Sequence, residues 1–236
     1  MIKARTRLTA ASTQTREHIL LAGERLFAEQ GFDNVSLRQI NTEAGQRNSS
    51  ASHYHFGSKE ALITAIYEYR MEHLNVRRNR MLAALPSGSE PHSVISMIEI
   101  LIYPMVEEIE GSVGGHQYIQ FLSQLFSHPM MNLVDMWRSQ FGESVGRVYY
   151  ELRRALPHIP DEVFGPRFGL MWLLAVNALA DRERLSSTPV GTVSSALPVL
   201  YVSNLVDTLA GLISAPVSAS THAEITELRS AGQRLA

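Results

Sequence analysis

Along most of the chain apolar residues recur at three- and four-residue spacing, the period of a helix packed on one side. The fold this predicts is all-α. Ile19, Ala22, Leu26 and Phe27 form the first stripe, and Gly31 offers the left-handed stop that ends it. Ser36 opens the second helix as its N-cap; Gln39, three residues on, completes a capping box, and Gly45 closes the segment after about two turns. A third short helix fits Ser49 to His55. Gly57 and Ser58 then break and recap the chain before a long helix from Lys59 through Leu74 to the neighbourhood of Ala84.

Beyond the turn Pro86-Ser87-Gly88-Ser89 the predicted helices lengthen. Pro91 suits the first position of a segment running to Glu110, which Pro104 is expected to kink one turn from its end. A loop of Gly111, Gly114 and Gly115 leads to a helix from His116 to Ser127. After Pro129 a long stripe runs through Val134, Trp137, Phe141, Val145, Val148, Leu152 and Leu156, until Pro157 and Pro160 close it. Phe164, Phe168, Met171, Trp172, Ala175 and Leu179 mark the next helix, to Leu185, and Val193, Leu197, Leu200, Asn204, Leu205, Leu209 and Leu212 mark the last. The small, polar residues after Pro216 read as a frayed tail.

Composition narrows the function classes. With 236 residues, 45% of them hydrophobic and 19% charged, the chain can bury a sizeable core, which excludes disorder throughout. The net charge of −2 gives no global reason to bind nucleic acid or an acidic membrane, so such binding needs a local patch. Residues 1–60 carry eight basic side chains against six acidic, whereas the remainder is net negative. The absence of cysteine excludes disulfides, thiolate metal sites and cysteine nucleophiles. No uncharged apolar stretch reaches the ~18 residues of a membrane span. A cytoplasmic protein with no membrane partner is the expectation.

Three short helices followed by a long one, in the basic part of the chain, have the layout of a helix-turn-helix module, whose second paired helix enters the major groove of duplex DNA. Such a helix needs small polar side chains at its start and phosphate-binding groups around it. Asn48, Ser49, Ser50 and Ser52 are short donors and acceptors, while His53, Tyr54, His55 and Lys59 have the reach for phosphates. On pattern alone a solvated helical hairpin, with Tyr54 and Phe56 filling a small core, stands equally well.

The run Gly31-Phe32-Asp33-Asn34-Val35-Ser36-Leu37-Arg38-Gln39-Ile40, then Ala44-Gly45, then Tyr54-His55-Phe56-Gly57-Ser58-Lys59-Glu60-Ala61-Leu62, resembles the TetR family of bacterial transcriptional regulators. The resemblance covers the first sixty or so residues; beyond them it extends only to helix number and length. It implies that Arg38 reaches a base, that Lys59 holds a phosphate, and that a carboxyl-terminal helical domain takes up a small apolar or amphipathic effector. Two features depart from the family pattern. The interval from Gly45 to Phe56 is one residue longer, and Ser52-His53 stand where a Leu-Tyr pair is usual.

The resulting organisation is a flexible basic arm (1–12), a DNA-binding domain (13–58), a ligand-binding and dimerisation domain (59–215, its first helix 59–84 the connector) and the tail (216–236). Met105, Tyr118, Phe121, Trp137 and Phe141 belong to an aromatic- and methionine-rich stretch suited either to an ordinary core or to an adaptable effector pocket. From Leu185 to His222 the chain carries a single charge, Asp207, so a monomer would expose a large apolar surface. Leu197, Leu200, Tyr201, Asn204 and Leu205 are the residues expected at a homodimer interface. The reading is a repressor, released from a palindromic operator by its effector and using no cofactor; a helical interaction or ligand-carrier protein without DNA binding is the alternative.

An enzyme is disfavoured. Gly142-Glu143-Ser144-Val145-Gly146 fits the G-x-S-x-G pattern, but helical spacing runs through it and no buried strand precedes it, whereas a nucleophile elbow needs a strand-to-helix turn. No histidine pair has the i, i+4 spacing of a helical metal site, and no metal is expected.

Overall fold

The computed structural model describes residues 10–46, 48, 50–88, 90–128, 143–182 and 198–233. Among them lie ten α-helices: α1 (Ala10–Gln30), α2 (Leu37–Glu43), α3 (Ala51–Phe56), α4 (Lys59–Ala83), α5 (Val94–Gly111), α6 (Gly115–Ser127), α7 (Glu143–Ala155), α8 (Asp161–Ala180), α9 (Pro198–Ser214) and α10 (Ala219–Gln233). They fall into two compact units, one within 1–79 and 104–142 and the other within 80–103 and 143–236. Most of α4, the end of α5 and all of α6 belong with the three amino-terminal helices, and the chain passes between units inside α4 and again at Pro104 inside α5.

In the first unit α1 packs against α6, α2 and α3. Its apolar face supplies Ile19, Leu20 and Phe27, which meet Phe32, Ile40, Leu62, Ile66, Phe121 and Leu125 in a buried core. The ring of Phe32 stands 5.2 Å from Phe27 and 5.5 Å from Phe121, the latter edge to face. The capping box takes the predicted form: the Ser36 N–H donates to Gln39 Oε1 at 2.8 Å and the Gln39 N–H to Ser36 Oγ at 3.3 Å. At the start of α6 the packing admits no side chain. A Cβ on Gly115 would lie on the Glu108 carbonyl oxygen and 2.5 Å from that of Ile109, so only glycine lets α6 begin against the last turn of α5.

The second unit is built on α8 and α9. Val145, Val148 and Leu152 of α7, Phe164, Phe168 and Trp172 of α8, and Val202, Leu209 and Ile213 of α9 are buried. Tyr149 contacts Phe164 and Phe168 edge to face at 5.1 and 5.0 Å. By length and composition α8 is apolar enough to cross a membrane, yet Phe164, Phe168, Met171, Trp172, Ala175, Val176 and Leu179 are buried in this unit, and Arg167 donates to the Ala215 carbonyl. Ser144, the second residue of α7, is 1% exposed, and Glu143, Ser144, Val145 and Gly146 of the G-x-S-x-G run lie in that helix; Gly142 is outside the described residues. Residues 129–142, which carry the first part of the predicted stripe, lie outside the described residues.

One expectation is corrected. The segment after Pro216, read as a frayed tail, contains α10. Ser218 starts it, its Oγ accepting from the Thr221 N–H at 3.3 Å and its carbonyl from the His222 N–H at 3.0 Å. Ile225 is buried, and Arg229 makes a two-bond pair with Glu162 of α8 at 2.7 and 2.9 Å. That pair, and after it Glu162's own backbone N–H, hold the Glu162 carboxyl down at about 2. A single apolar anchor and one ion pair leave no stripe for periodicity to detect.

The crowding at Gly115 makes a direct test. Gly115→Ala is expected to cost about 2–3 kcal/mol in urea unfolding, because the clash is with backbone that cannot rotate away. Gly146→Ala, with open space around the new methyl, is expected to be neutral or mildly stabilising by up to about 1 kcal/mol.

Candidate nucleic-acid interface

The geometry follows from how α2 hands the chain to α3. Gly45, at φ +67°, ends α2 in a conformation that a side chain would strain. Asn48 then organises the entry to α3, its Oδ1 accepting from the Ser50 N–H at 3.0 Å and its carbonyl from the Ala51 N–H at 3.1 Å. With α3 in place, the candidate DNA-contacting residues separate by face. Asn48, Ser50 and His53 are exposed, and Tyr54 is 80% exposed, its ring edge-on to His55 at 5.2 Å. Arg38 is exposed on α2. Ser49, like the arm residues Lys3, Arg5 and Arg7, lies outside the described residues.

Three candidates are buried or half-buried instead. Ser52 is fully buried, and both its N–H and its Oγ donate to Asn41 Oδ1, at 2.9 and 2.5 Å, so it is not on the base-reading face. His55 is half-buried; burial first, and then the nearby Arg16 guanidinium, hold its imidazole below the usual range. Lys59 Nζ donates to the carbonyls of Phe32 and Val35 at 2.8 and 3.2 Å. Its ammonium therefore ties down the α1–α2 loop. Beside it, the Arg16 guanidinium lies 5.2 Å over the Phe56 ring and pins the end of α3 to α1.

Behind this face is a polar cluster that periodicity did not single out. Arg70 is 2% exposed and makes five bonds: Nε and a terminal nitrogen to the two Glu24 oxygens at 2.8 and 2.6 Å, the other terminal nitrogen to Glu108 at 2.8 Å and Ser112 Oγ at 3.0 Å, and one more to the Val113 carbonyl at 2.7 Å. Arg77 donates to the second Glu108 oxygen at 2.5 Å. Desolvation pushes the Glu24 carboxyl up more than Arg70 pulls it down. At Glu108 desolvation pushes the same way, but the hydrogen bonds from Arg77, Ser112 and Arg70 outweigh it and leave its carboxyl below the usual range. Wholly buried Arg78 is pushed down to about 10 by desolvation, against the weaker pull of Tyr118 and Tyr67. The sequence signal was the placement of Arg70 and Arg78 on the same stripe as Leu62, Ile66 and Leu74, where cations are out of place unless partnered.

The remaining predicted residues are spread over both units. Met105, Tyr118 and Phe121 are buried in the first; Phe121 joins the Phe27–Phe32 cluster, and the Arg70 guanidinium lies 5.6 Å over the Tyr118 ring. Trp137, Phe141 and Leu197 lie outside the described residues. In the second unit Leu200 is 56% exposed and Asn204 is exposed. Tyr201 is half-buried and donates to the Ala178 carbonyl at 2.7 Å, and Leu205 is buried within its own chain. Leu170, Leu174 and Val199, not singled out beforehand, are the further exposed apolar residues of α8 and α9.

The Lys59 geometry predicts a result opposite to a simple phosphate contact. Lys59→Met is expected to lower stability by about 1–2 kcal/mol, since two carbonyls lose a charged donor. The salt dependence of DNA binding, read by fluorescence anisotropy, is expected to keep the wild-type slope.

Comparison with known proteins accounts for both parts of the chain. Residues 19–66 match the family of bacterial regulatory proteins, tetR family, and residues 99–211 match the tetracyclin repressor-like, C-terminal domain. A stretch of 68 residues is 37% identical to the HTH-type transcriptional repressor NicS of Pseudomonas putida, covering 27% of this chain and 32% of that protein, so the match spans about a third of that relative. Among solved structures, AmtR of Mycobacterium smegmatis superposes with a TM-score of 0.54 at 17% identity, covering 91% of each chain. A tetR family regulator from Shewanella sp. PV-4 gives 0.56 at 16% identity over 83% of this chain and 95% of that one. A regulator from Saccharomonospora viridis, solved in complex with choline, gives 0.53 at 15% over 86% and 97%. These likenesses concern the fold. The two domain matches, which together take in well over half of the sequence, go further: the chain belongs to the TetR family, whose members are DNA-binding, non-enzymatic transcriptional regulators.

Proposed function

We propose that this protein is a repressor that binds a palindromic operator as a homodimer and leaves it when a small apolar or amphipathic effector binds. The observation that carries the reading is the sidedness of α3: Ala51 and Ser52 are buried, while Asn48, Ser50, His53 and Tyr54 point outward as a short polar face with Arg38 exposed on the preceding helix. Such a face suits base edges in the major groove. The likeness of its amino-terminal part to a repressor supports the sign of regulation.

The second unit supports dimerisation. Leu170 and Leu174, four residues apart on α8, and Val199 and Leu200 on α9 are exposed on two helices that pack together. Helix pairs of this kind bury such residues by forming a four-helix bundle with a second copy. For the effector, Tyr118 supports a ligand carrying a polar group as well as apolar surface: its hydroxyl is buried and has no hydrogen-bond partner among the described residues. An effector lowers operator affinity only if it binds the free arrangement more tightly than the DNA-bound one, typically by ~1–3 kcal/mol.

Two measurements test the reading. Selection of duplexes from a random pool by the full-length protein is expected to return a palindrome. Arg38→Ala should relax the preference at one base pair per half-site, at a cost of ~1–3 kcal/mol. A flat selection would leave an interaction or carrier protein as the better description. Sedimentation at micromolar concentration is expected to give a dimer for the wild type and a folded monomer for Leu170→Glu/Leu200→Glu; a monomeric wild type rejects the interface.

A further inference from the structure

Ser50 stands at the N-cap of α3 but makes no side-chain cap, so the first N–H groups of this helix depend on partners from elsewhere. One partner comes from another helix. Asn41, on the inward face of α2 beside Ile40, accepts through Oδ1 from the Ser52 N–H at 2.9 Å and from Ser52 Oγ at 2.5 Å. Both residues are buried, Asn41 at 1% and Ser52 at 0% exposure. A buried amide–hydroxyl pair adds little net stability over an apolar pair of the same volume. It differs in being directional. Apolar side chains tolerate rotation and sliding of one helix on another, whereas two bonds converging on one oxygen fix both.

The helix so held has six residues, too few to be stable by itself, so its orientation is set by its anchors. His53 and Tyr54 directly follow Ser52, and at ~100° per residue their directions follow from where Ser52 is held. We propose that Asn41 is a positioning residue for operator recognition: its amide oxygen fixes α3 through Ser52 and so decides which bases His53 and Tyr54 reach. The proposal rests on the operator-binding reading and adds to it a residue that itself touches no DNA.

The test passes wild type, Asn41→Ala, Asn41→Asp and Ser52→Ala, all full length, through the random-duplex selection, with thermal melts and salt titrations alongside. Asn41→Ala removes the acceptor. Its affinity for the wild-type consensus is expected to fall roughly tenfold, with base preference relaxed at the positions under α3. Its salt slope should stay unchanged, because phosphate contacts are not touched. Ser52→Ala keeps the backbone bond, and a fall of about threefold is expected. Asn41→Asp keeps an acceptor oxygen but buries a carboxylate, so it is expected to melt lower than the wild type while keeping the wild-type base preference. Unchanged preference in Asn41→Ala, or a uniform loss at every base, overturns the proposal. If Asn41→Ala does not fold, Ser52→Ala decides by the same criteria. A wild type without any base preference would overturn the operator reading itself, whereas a selective wild type with equally selective variants overturns only the role of Asn41.

Discussion

The Arg70 guanidinium has five N–H donors, and the arrangement of the first unit depends on where they go. Two clasp Glu24 of α1, the others reach Glu108 of α5 and, in the turn before α6, Ser112 and the Val113 carbonyl. The fork is planar and rigid, so only one mutual placement of α1, α4 and the α5–α6 turn satisfies all of its donors together. As a source of net stability this cluster is weak, because burying its charges costs several kcal/mol per ion before their attraction offsets it. Removing one member is another matter: a single uncompensated buried charge costs about 3–5 kcal/mol. The cluster therefore acts as a constraint on geometry more than as a reservoir of stability.

That constraint matters because α1 carries the small DNA-binding helices. α1 packs on α6 through Phe27, Phe32 and Phe121, and α6 can begin where it does only because Gly115 lacks a side chain. The apolar contacts alone would permit small rotations of α1; the bidentate Glu24–Arg70 pair removes that freedom. A shift of the α4 segment carrying Arg70, or of the α5 turn carrying Glu108, would break these bonds unless α1 moved with it. A regulator needs such a path if an effector is to alter the placement of its recognition helices.

At the DNA-facing end the same economy recurs on a smaller scale. α2 and α3 are seven and six residues long and hold their shape through contacts from outside themselves. Lys59 satisfies two carbonyls of the loop before α2, Arg16 covers the Phe56 ring at the end of α3, and Asn41 receives its first turn. Three polar residues, one each on α1, α2 and α4, thus hold two helices too short to form an apolar core of their own. The outward residues Asn48, Ser50, His53 and Tyr54 are left available.

The sequence by itself determined the all-α class, most of the helix boundaries and the helix-turn-helix module, because helical periodicity, the Ser36–Gln39 box and Gly45 are local signals that need no partner to be read. It named Arg38, His53 and Tyr54 as candidates for DNA contact; that Tyr54 is exposed rather than part of a small core came only from the fold. What it missed is of one kind. Ser52 and Lys59 look like surface polar groups in the sequence; the partners that turn them inward, Asn41 and the Phe32 and Val35 carbonyls, are eleven or more residues away. Glu24, Arg70 and Glu108 lie 38 or more residues apart along the chain, and α10 is held by Ile225 and by Glu162, 67 residues before Arg229. Buried polar side chains are placed by whichever donor or acceptor the folded chain brings to them, and this pairing carries no periodicity. Tertiary structure alone decided it, since the desolvation that enforces each pair exists only once the core has closed.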